Sequence, residues 1–260
     1  HACPVVSSVT AQNSLTLRSA EAVSAQILRD QLEVLAADLP PVAIKIGLLP
    51  TIEHVALLAD WLADFKAKQS CFVVLDPVVI TSQGGNMAEQ DIREALLTKL
   101  LPQLDLITPN LNELVWLLKL PTDHFSSADY PLSLLEAASA KLRELGVSAV
   151  LCKGGHQLND ANDLLWRKGD YKWFQGKRIN NPNTHGTGCT LSSAIASNLA
   201  KGFDLDTSVE RAKKYISGAL AAMLDLGKGS GPMDHGFAIK NEFTLSHDEI
   251  TAEAADKEAK

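Results

Sequence analysis

The sequence predicts an α/β fold in which helices cover both faces of a mainly parallel sheet. Short runs of apolar, β-branched residues that end in Gly, Pro or Asn alternate with longer stretches of helical periodicity, as in successive βα units. The short runs are almost wholly apolar, which is typical of strands that are covered on both sides. No repeat and no linker divides residues 1–260, so we expect a single domain.

Four of the apolar runs are predicted to form the parallel strands: Val42 to Gly47, Cys71 to Val79, Leu104 to Thr108 and Ala149 to Lys153. Four predicted helices accompany these strands: Ile52 to Lys66, Ala88 to Leu100, Leu111 to Lys119 and Leu132 to Leu145. The connecting loops are short, as is usual in compact α/β units.

The second half of the chain departs from this alternation. Leu164 to Ile179 is predicted to be an antiparallel hairpin at the sheet edge, because aromatic residues flank a turn at residues 168–170. Two helices are predicted after it, at Cys189 to Ala200 and at Ser208 to Leu226. The tail, residues 246–260, is rich in Ala, Glu, Asp and Lys, and is either a helix or a frayed end.

Composition excludes several classes of protein. The chain has 260 residues with 24 Lys+Arg against 31 Asp+Glu, and its net charge of −7 opposes binding to nucleic acid. No apolar stretch approaches the roughly 20 residues that cross a bilayer. Its four cysteines form no CxxC pair, which fits neither a zinc site nor a disulfide framework. We expect a cytoplasmic protein with neither a nucleic-acid nor a membrane partner.

The segment Asn183 to Ser193 carries the strongest chemical signal. Its glycines, Gly186 and Gly188, precede an apolar helical pattern, so that free N–H groups of the first helical turn point together. Such a turn binds anions, phosphate above all. The alternative is a Gly-rich turn with Thr caps and no ligand. The segment matches neither the P-loop nor the dinucleotide fingerprint.

Cys189 stands at the start of that predicted helix, where the helix dipole favours a thiolate that serves as a base. A buried cysteine is otherwise a small hydrophobic residue, and this interpretation suits Cys71 and Cys152 inside apolar strands. His185 would pair with Cys189 in a cysteine hydrolase, but the nucleophile-elbow context is absent.

Charged residues follow several predicted strands, at the edge where parallel sheets bind ligands. Asp76 and Glu113 would together hold Mg²⁺, and Lys153 would contact nucleotide phosphates. The alternative interpretation is a polar strand end for Asp76, a first-turn charge for Glu113 and a solvated strand end for Lys153. The loop from Gly227 to Pro232 follows a helix, so a C-cap explains Gly227, with a nucleotide-pocket role as the open alternative.

Together these segments resemble the ribokinase-like superfamily and, within it, the hydroxymethylpyrimidine/phosphomethylpyrimidine kinases of thiamine biosynthesis. The resemblance runs from about residue 8 to about residue 235. The motifs that carry it are Thr10-Ala11-Gln12-Asn13, Lys45-Ile46-Gly47-Leu48-Leu49, Val73 to Val78, Leu106 to Glu113, Lys153 to His156, Thr184 to Ser192 and Gly227 to Pro232. The segment from Thr184 is the most specific, because most sugar kinases of the superfamily carry Asp where Cys189 stands.

The resemblance implies a three-layer αβα sandwich that uses ATP and Mg²⁺. The anion hole and catalytic group would be formed by Gly186, Thr187, Gly188 and Cys189, with Cys189 accepting the substrate hydroxyl proton. The ATP-binding residues would be Asn110, Lys153, Thr187 and Gly229. The metal residues would be Asp76 and Glu113, with Asp76 acting through water. The pyrimidine pocket would be lined by Gln12, Leu48 and Val78 together with Cys189.

The implied reaction is transfer of phosphate from ATP to 4-amino-5-hydroxymethyl-2-methylpyrimidine and then to its monophosphate, in a homodimer. Pyridoxal kinase is the nearest alternative, since it phosphorylates a hydroxymethyl group on a similar ring. A noncatalytic pyrimidine-binding or regulatory protein is the alternative from another class.

The chain departs from the family pattern at three places. It starts after the family's first strand and its Gly-, Ser- and Asp-containing loop, short by roughly one βα unit. After Pro77, residues 79–85 supply neither the Met nor the Lys-Ser-Gly-Asp loop of the family. Leu48 stands where some members have Met.

Overall fold

The computed structural model describes residues 1–78, 92–120, 132–154 and 160–239. It begins with two elements that the sequence patterns above do not predict, an antiparallel pair of strands, β1 (Ser8–Gln12) and β2 (Leu17–Ala22). Their side chains are mostly exposed, so the strands lack the apolar runs that mark the other strands. Helix α1 (Ala25–Asp38), also not predicted, follows and is capped by the Ser24 side chain, which accepts a hydrogen bond from the Ile27 N–H.

The central sheet has the strand order β3-β4-β5-β6-β7-β8. Its strands are β3 (Ala43–Ile46), β4 (Phe72–Leu75), β5 (Leu106–Ile107), β6 (Ala149–Cys152), β7 (Asp163–Arg167) and β8 (Asp170–Phe174). The first four are parallel, and β7 and β8 form an antiparallel hairpin at the edge. Both the mainly parallel sheet and the edge hairpin confirm the sequence prediction.

The remaining helices connect these strands or follow them. They are α2 (Ile52–Lys66), α3 (Ile92–Ala95), α4 (Leu111–Leu118), α5 (Leu132–Glu144), α6 (Thr187–Ala200) and α7 (Leu205–Ala221). Helix α3 continues through a π-helical turn, Leu96–Leu100, and a 3₁₀ turn, Leu101–Gln103, into β5. Across the described ranges, no helix has the length and apolar character needed to cross a membrane.

The strands divide their side chains between two apolar layers, because successive residues of a strand point to opposite faces. One layer joins the sheet to α1 through α5 and includes Val73, Leu75, Ile107, Val150 and Cys152. The other joins it to α6 and α7 and includes Val74, Leu106, Ala149, Leu151 and Leu165. The result is the expected three-layer αβα sandwich.

Some predicted boundaries differ from the structure. Helix α6 begins two residues before Cys189, because Gly186 takes the left-handed conformation at the N-cap, with φ of 82°. Helix α7 runs from Leu205 to Ala221 instead of from Ser208 to Leu226, since Asp204 caps its start. Parts of two predictions, residues 79 and 88–91, and the whole tail, residues 246–260, lie outside the described residues.

Candidate active site

Charged side chains gather at the carboxyl ends of β4, β5 and β6. Asp76 directly follows β4, and its N–H donates to the Ile46 carbonyl 2.9 Å away. Asn110 and Lys153 form a parallel bridge beyond the ends of β5 and β6. Because the carboxyl ends of adjacent parallel strands meet at one edge of the sheet, residues far apart in sequence become neighbours here.

Lys153 joins two carboxylates. Its Nζ lies 2.6 Å from Oδ1 of Asp76 and 3.4 Å from Oε2 of Glu113. The side chains of Lys153 and Asp76 are only 11% and 1% exposed, so neither is a solvated strand end. Thr108 donates its hydroxyl to Oδ1 of Asp76 at 3.4 Å. The structure thus brings three predicted site residues together as one buried ionic cluster.

Glu113 has both a structural role and a place in the site. It forms a reciprocal capping box at the start of α4, in which its Oε2 accepts from the Asn110 N–H at 2.6 Å. The Asn110 side chain in turn accepts from the Glu113 N–H at 2.9 Å. The first-turn charge and the ionic cluster are therefore two functions of one carboxylate.

Burial and charge act together on the pKa values of this cluster. Burial raises the pKa of Glu113, and Asp76 raises it further, against the opposing effects of Lys153 and the Asn110 N–H. Burial by itself lowers the pKa of Lys153, but the charges of Asp76 and Glu113 outweigh it and leave that pKa raised. Lys153 is consequently a permanent cation at neutral pH.

The first turn of α6 lies against this ionic cluster. No side chain caps the turn, and the Gly188 and Cys189 N–H groups have no hydrogen-bond partner among the described residues. A Cβ at Gly188 would lie 3.2 Å from Lys153 Nζ and 3.6 Å from Oδ2 of Asp76. A side chain at position 188 would therefore make a tight contact with the Lys153 ammonium. The Thr-capped alternative for this turn is wrong.

Ser192, one turn further along α6, also contacts Asp76. Its hydroxyl is fully buried and lies 3.4 Å from Oδ2 of Asp76, and it also reaches the Gly188 and Cys189 carbonyls at 3.2 and 3.0 Å. Ser192 is part of the Thr184 to Ser192 motif, but no role was predicted for it. The feature of the sequence that could have indicated a role for Ser192 is a small hydroxyl residue at a position of the helix where the pattern is apolar.

Cys189 differs from expectation in its ionisation. Desolvation raises the pKa of its thiol, Lys45 lowers it, Asp76 raises it by charge and by a hydrogen bond, and Lys153 lowers it. The net pKa is above the ordinary value, so these influences oppose the thiolate that the helix dipole was expected to favour, and the role of Cys189 as a base stays a prediction. Cys71 and Cys152 are buried, as predicted.

An apolar pocket adjoins the charged cluster at the ends of β3 and β4. It is small and partly open to solvent, and it is lined by Gly47, Leu49, Leu75, Pro77, Val78, Ile92 and Leu96. Val78 lines this pocket, whereas Leu48 lies between two lining residues and its carbonyl accepts from the Ser7 hydroxyl at 2.7 Å. Gln12 Nε2 is buried without a hydrogen-bond partner among the described residues.

The loop from Gly227 to Pro232 packs on the turn between β1 and β2. A Cβ at Gly229 would lie 2.1 Å from the Ser14 carbonyl oxygen, so close backbone packing by itself accounts for this glycine. The N–H of Gly231 donates to the Asn183 side chain at 2.8 Å, which holds the loop beside the segment that leads into α6. Gly227 is not a C-cap, because α7 has already ended at Ala221.

The donor set fits a magnesium ion held by few protein oxygens. Among the described residues no three His, Cys, Asp or Glu side chains form a metal-binding group. Asp76 and Glu113 each retain one carboxylate oxygen that does not contact Lys153. Mg²⁺ is commonly held by one or two carboxylates together with water and substrate phosphates.

Comparisons with known proteins agree with this geometry. The hydroxymethylpyrimidine/phosphomethylpyrimidine kinase of Streptomyces coelicolor is 36% identical over 239 residues, covering 92% of this chain and 85% of that protein. The crystal structure of phosphomethylpyrimidine kinase from Clostridium difficile matches with a TM-score of 0.69 at 29% identity, over 82% of this chain and 84% of that one. An ADP complex of Bacillus subtilis pyridoxal kinase matches with a TM-score of 0.76 at 26% identity, over 89% and 84%.

A family model described as phosphomethylpyrimidine kinase matches residues 1–234. This match spans the sheet, the ionic cluster and the first turn of α6. The chain therefore belongs to the phosphomethylpyrimidine kinase family.

Proposed function

We propose that this chain is an ATP-dependent kinase of thiamine biosynthesis. It phosphorylates 4-amino-5-hydroxymethyl-2-methylpyrimidine and then converts the monophosphate to the diphosphate. The observation that carries the proposal is the packing of an uncapped, glycine-containing helix start against the ionic cluster of Lys153, Asp76 and Glu113. The relatives named above for the same reaction support it.

The first turn of α6 supplies the electrostatic part of the reaction. Its unpartnered Gly188 and Cys189 N–H groups would donate to the oxygens of the transferred phosphoryl group, assisted by the helix dipole. Thr187 would share this anion hole, and Asn110 and Gly229 would contact ATP. Lys153 supplies a fixed positive charge beside the same turn, which compensates for charge on the nucleotide phosphates.

Cys189 would accept the proton of the substrate hydroxyl. The hydroxyl oxygen forms a bond to the γ-phosphorus while the bond from that phosphorus to the β–γ bridging oxygen breaks, and ADP leaves with the electron pair. The raised pKa of Cys189 means that the reactive thiolate is a minor form in the free chain. The anion-hole residues and Cys189 thus have separate tasks.

Magnesium would be held by Glu113 and, through water, by Asp76. When bound, the ion neutralises charge on the ATP phosphates. The protein's part is to orient both carboxylates, which Lys153 does by charge and the Asn110 capping box does by geometry.

The pyrimidine ring would lie in the apolar pocket beside Val78 and Leu48. The apolar lining that includes Val78 would contact the flat ring, and a polar group would set the orientation of the ring. Gln12 is the candidate for that role, because a buried amide nitrogen without a partner is costly unless a ligand accepts its hydrogen bond.

Two further features of the protein belong to the proposal. It acts as a homodimer, supported by the exposed β1–β2 sheet, on which Val9 is 63% exposed, since an isolated strand pair is only marginally stable. It works in the cytoplasm, supported by its four free cysteines.

The test is ADP release by the full-length natural protein with Mg-ATP. Hydroxymethylpyrimidine, its monophosphate and pyridoxal are compared at equal concentrations, with controls that omit substrate or Mg²⁺. We expect turnover with both pyrimidines. Preference for pyridoxal would favour the alternative suggested by the similarity to pyridoxal kinase. Binding without ADP release from any of the three would favour a noncatalytic protein.

A further inference from the structure

Lys45, in β3, is a further positively charged residue near Cys189. It lies in β3 between Ile44 and Ile46, which both pack in the α1–α5 layer. Because successive strand residues point to opposite faces, the Lys45 side chain leaves the sheet on the α6 side. In the described part of the chain, its ammonium forms no ion pair with a carboxylate. Lys153, by contrast, is already paired with two carboxylates.

The ammonium of Lys45 lies beside Gly47 and acts on the first turn of α6. A Cβ at Gly47, a residue that lines the pocket, would be 2.7 Å from Lys45 Nζ. Of the charges that act on the Cys189 thiol, that of Lys45 has the largest effect, ahead of Asp76 and Lys153. A substrate bound at the first turn of α6 would therefore meet Lys45 and Cys189 together.

The two phosphorylations need different chemical assistance from Lys45 and Cys189. In the first step the nucleophile is an alcohol, whose proton must leave as its oxygen bonds to the γ-phosphorus. In the second step the nucleophile is a phosphate oxygen, which is mostly ionised at neutral pH because the second pKa of a phosphate ester is about 6. The second step needs no base, but it must bring two anions together, and an unpaired cation reduces their repulsion.

Resting on the proposed function, we propose that the site divides the two steps between these residues. Cys189 accepts the proton in the first step, and Lys45 binds the phosphate of the monophosphate substrate in the second. In that second step a phosphate oxygen of the substrate bonds to the γ-phosphorus of another ATP, the bond to the bridging oxygen breaks, and ADP leaves with the electron pair. Lys45 thereby sets the preference for a phosphorylated over an unphosphorylated pyrimidine.

The experiment measures kcat/KM for both pyrimidines in the full-length wild-type protein and in the variants Lys45→Met, Lys45→Arg and Cys189→Ala. Lys68→Met, which removes an exposed ammonium after α2, is the matched control. The same proteins are titrated calorimetrically with the monophosphate in the absence of ATP. Thermal unfolding monitored by circular dichroism verifies that each variant is folded.

Opposite changes in substrate preference are expected. Lys45→Met lowers the ratio of kcat/KM for the monophosphate to kcat/KM for the alcohol by about 30-fold, the range of a charge-assisted hydrogen bond, and weakens monophosphate binding similarly. Lys45→Arg restores part of both, and Cys189→Ala raises the ratio. Lys68→Met changes neither.

Equal losses with both pyrimidines in Lys45→Met, together with unchanged monophosphate binding, would overturn the assignment of Lys45. If the wild-type protein turns over neither pyrimidine, the proposed function fails, and the calorimetric titrations alone then decide whether Lys45 binds a phosphorylated pyrimidine.

Discussion

The ammonium of Lys153 lies 2.6 Å from the carboxylate of Asp76, a residue 77 positions earlier in the chain. The pair joins the end of β6 to the end of β4 across the intervening β5, and it lies directly beneath Gly188 of α6. One buried ion pair therefore connects the sheet rim to the helix start that would bind phosphate. Substitutions of Lys153 and Gly188 test this connection.

Lys153→Met is expected to destabilise the fold by about 3 to 5 kcal/mol, because it leaves the buried carboxylate of Asp76 without its cation. Urea denaturation gives the free energy of unfolding. The double variant Lys153→Met/Asp76→Asn should recover part of the loss, since it removes the uncompensated charge. Lys214→Met, which breaks an exposed pair with Glu210, is the control and should leave the free energy of unfolding nearly unchanged. A comparable loss in both single variants would contradict a buried role for Lys153.

Gly188→Ala is expected to lower kcat at least tenfold with a small change in melting temperature. The added methyl group would lie 3.2 Å from Lys153 Nζ, so the ammonium must shift slightly, and the methyl group would occupy space beside the unpartnered N–H groups of this turn. Steady-state ADP release and thermal unfolding measure the two effects. Ser193→Ala, at an exposed position of the same helix, should leave both unchanged. Full activity in Gly188→Ala would show that this close approach is not needed for turnover.

Glu113→Gln is expected to raise the Mg²⁺ concentration required for half-maximal activity several-fold, because a neutral amide is a weaker ligand for a hard cation than a carboxylate. The amide oxygen still accepts from the Asn110 N–H, so the capping box should persist. A magnesium titration at fixed ATP provides the measurement. The matched control is Glu53→Gln in the first turn of α2, which also removes a first-turn carboxylate. Superimposable titrations for the wild type and Glu113→Gln would refute a metal role.

Stability should fall as the pH rises from about 9 to about 11, in part through Cys152. Burial raises the pKa of this thiol from 9.0 to about 11. In that interval the unfolded chain releases the thiol proton while the folded chain retains it, so stability present below pH 9 is progressively lost. The contribution of one such group over this interval is about 2 to 3 kcal/mol.

Urea denaturation at several pH values measures this effect as a difference between variants. Cys152→Ala should lose less stability than the wild type over the interval, whereas Cys3→Ala, which removes an exposed thiol, should follow the wild type. Parallel pH profiles for the wild type and Cys152→Ala would show that the thiol is not the titrating group.

Local sequence patterns predicted the elements that bury the most apolar surface. Helix α2 agrees with its predicted limits, Ile52 to Lys66, because Thr51 caps its start and its apolar residues repeat at helical spacing. The same patterns gave no sign of β1 and β2, whose outward residues face solvent and therefore carry no alternation of apolar and polar positions. Apolar periodicity in a sequence reflects the burial of side chains, so elements whose side chains are mostly exposed cannot be predicted from it.

The features of the candidate site were likewise predicted only in part from the sequence. Motifs in the sequence indicated Asp76, Glu113, Lys153 and the glycines around Cys189, since each stands next to a strand end or a helix start. They included Lys45 within a family motif but predicted no role for its charge, and they did not predict the raised pKa of Cys189. That pKa depends on burial and on the distances to three charged side chains, which come from β3 and the ends of β4 and β6.

By itself, then, the sequence determined the αβα architecture and the residue types available for phosphoryl transfer, because periodicity and capping are local properties of the chain. Only the tertiary structure decided which charges pair. It gave Lys153 two carboxylates and left Lys45 without one among the described residues, since sheet order and strand facing set the distances between side chains that lie far apart in sequence.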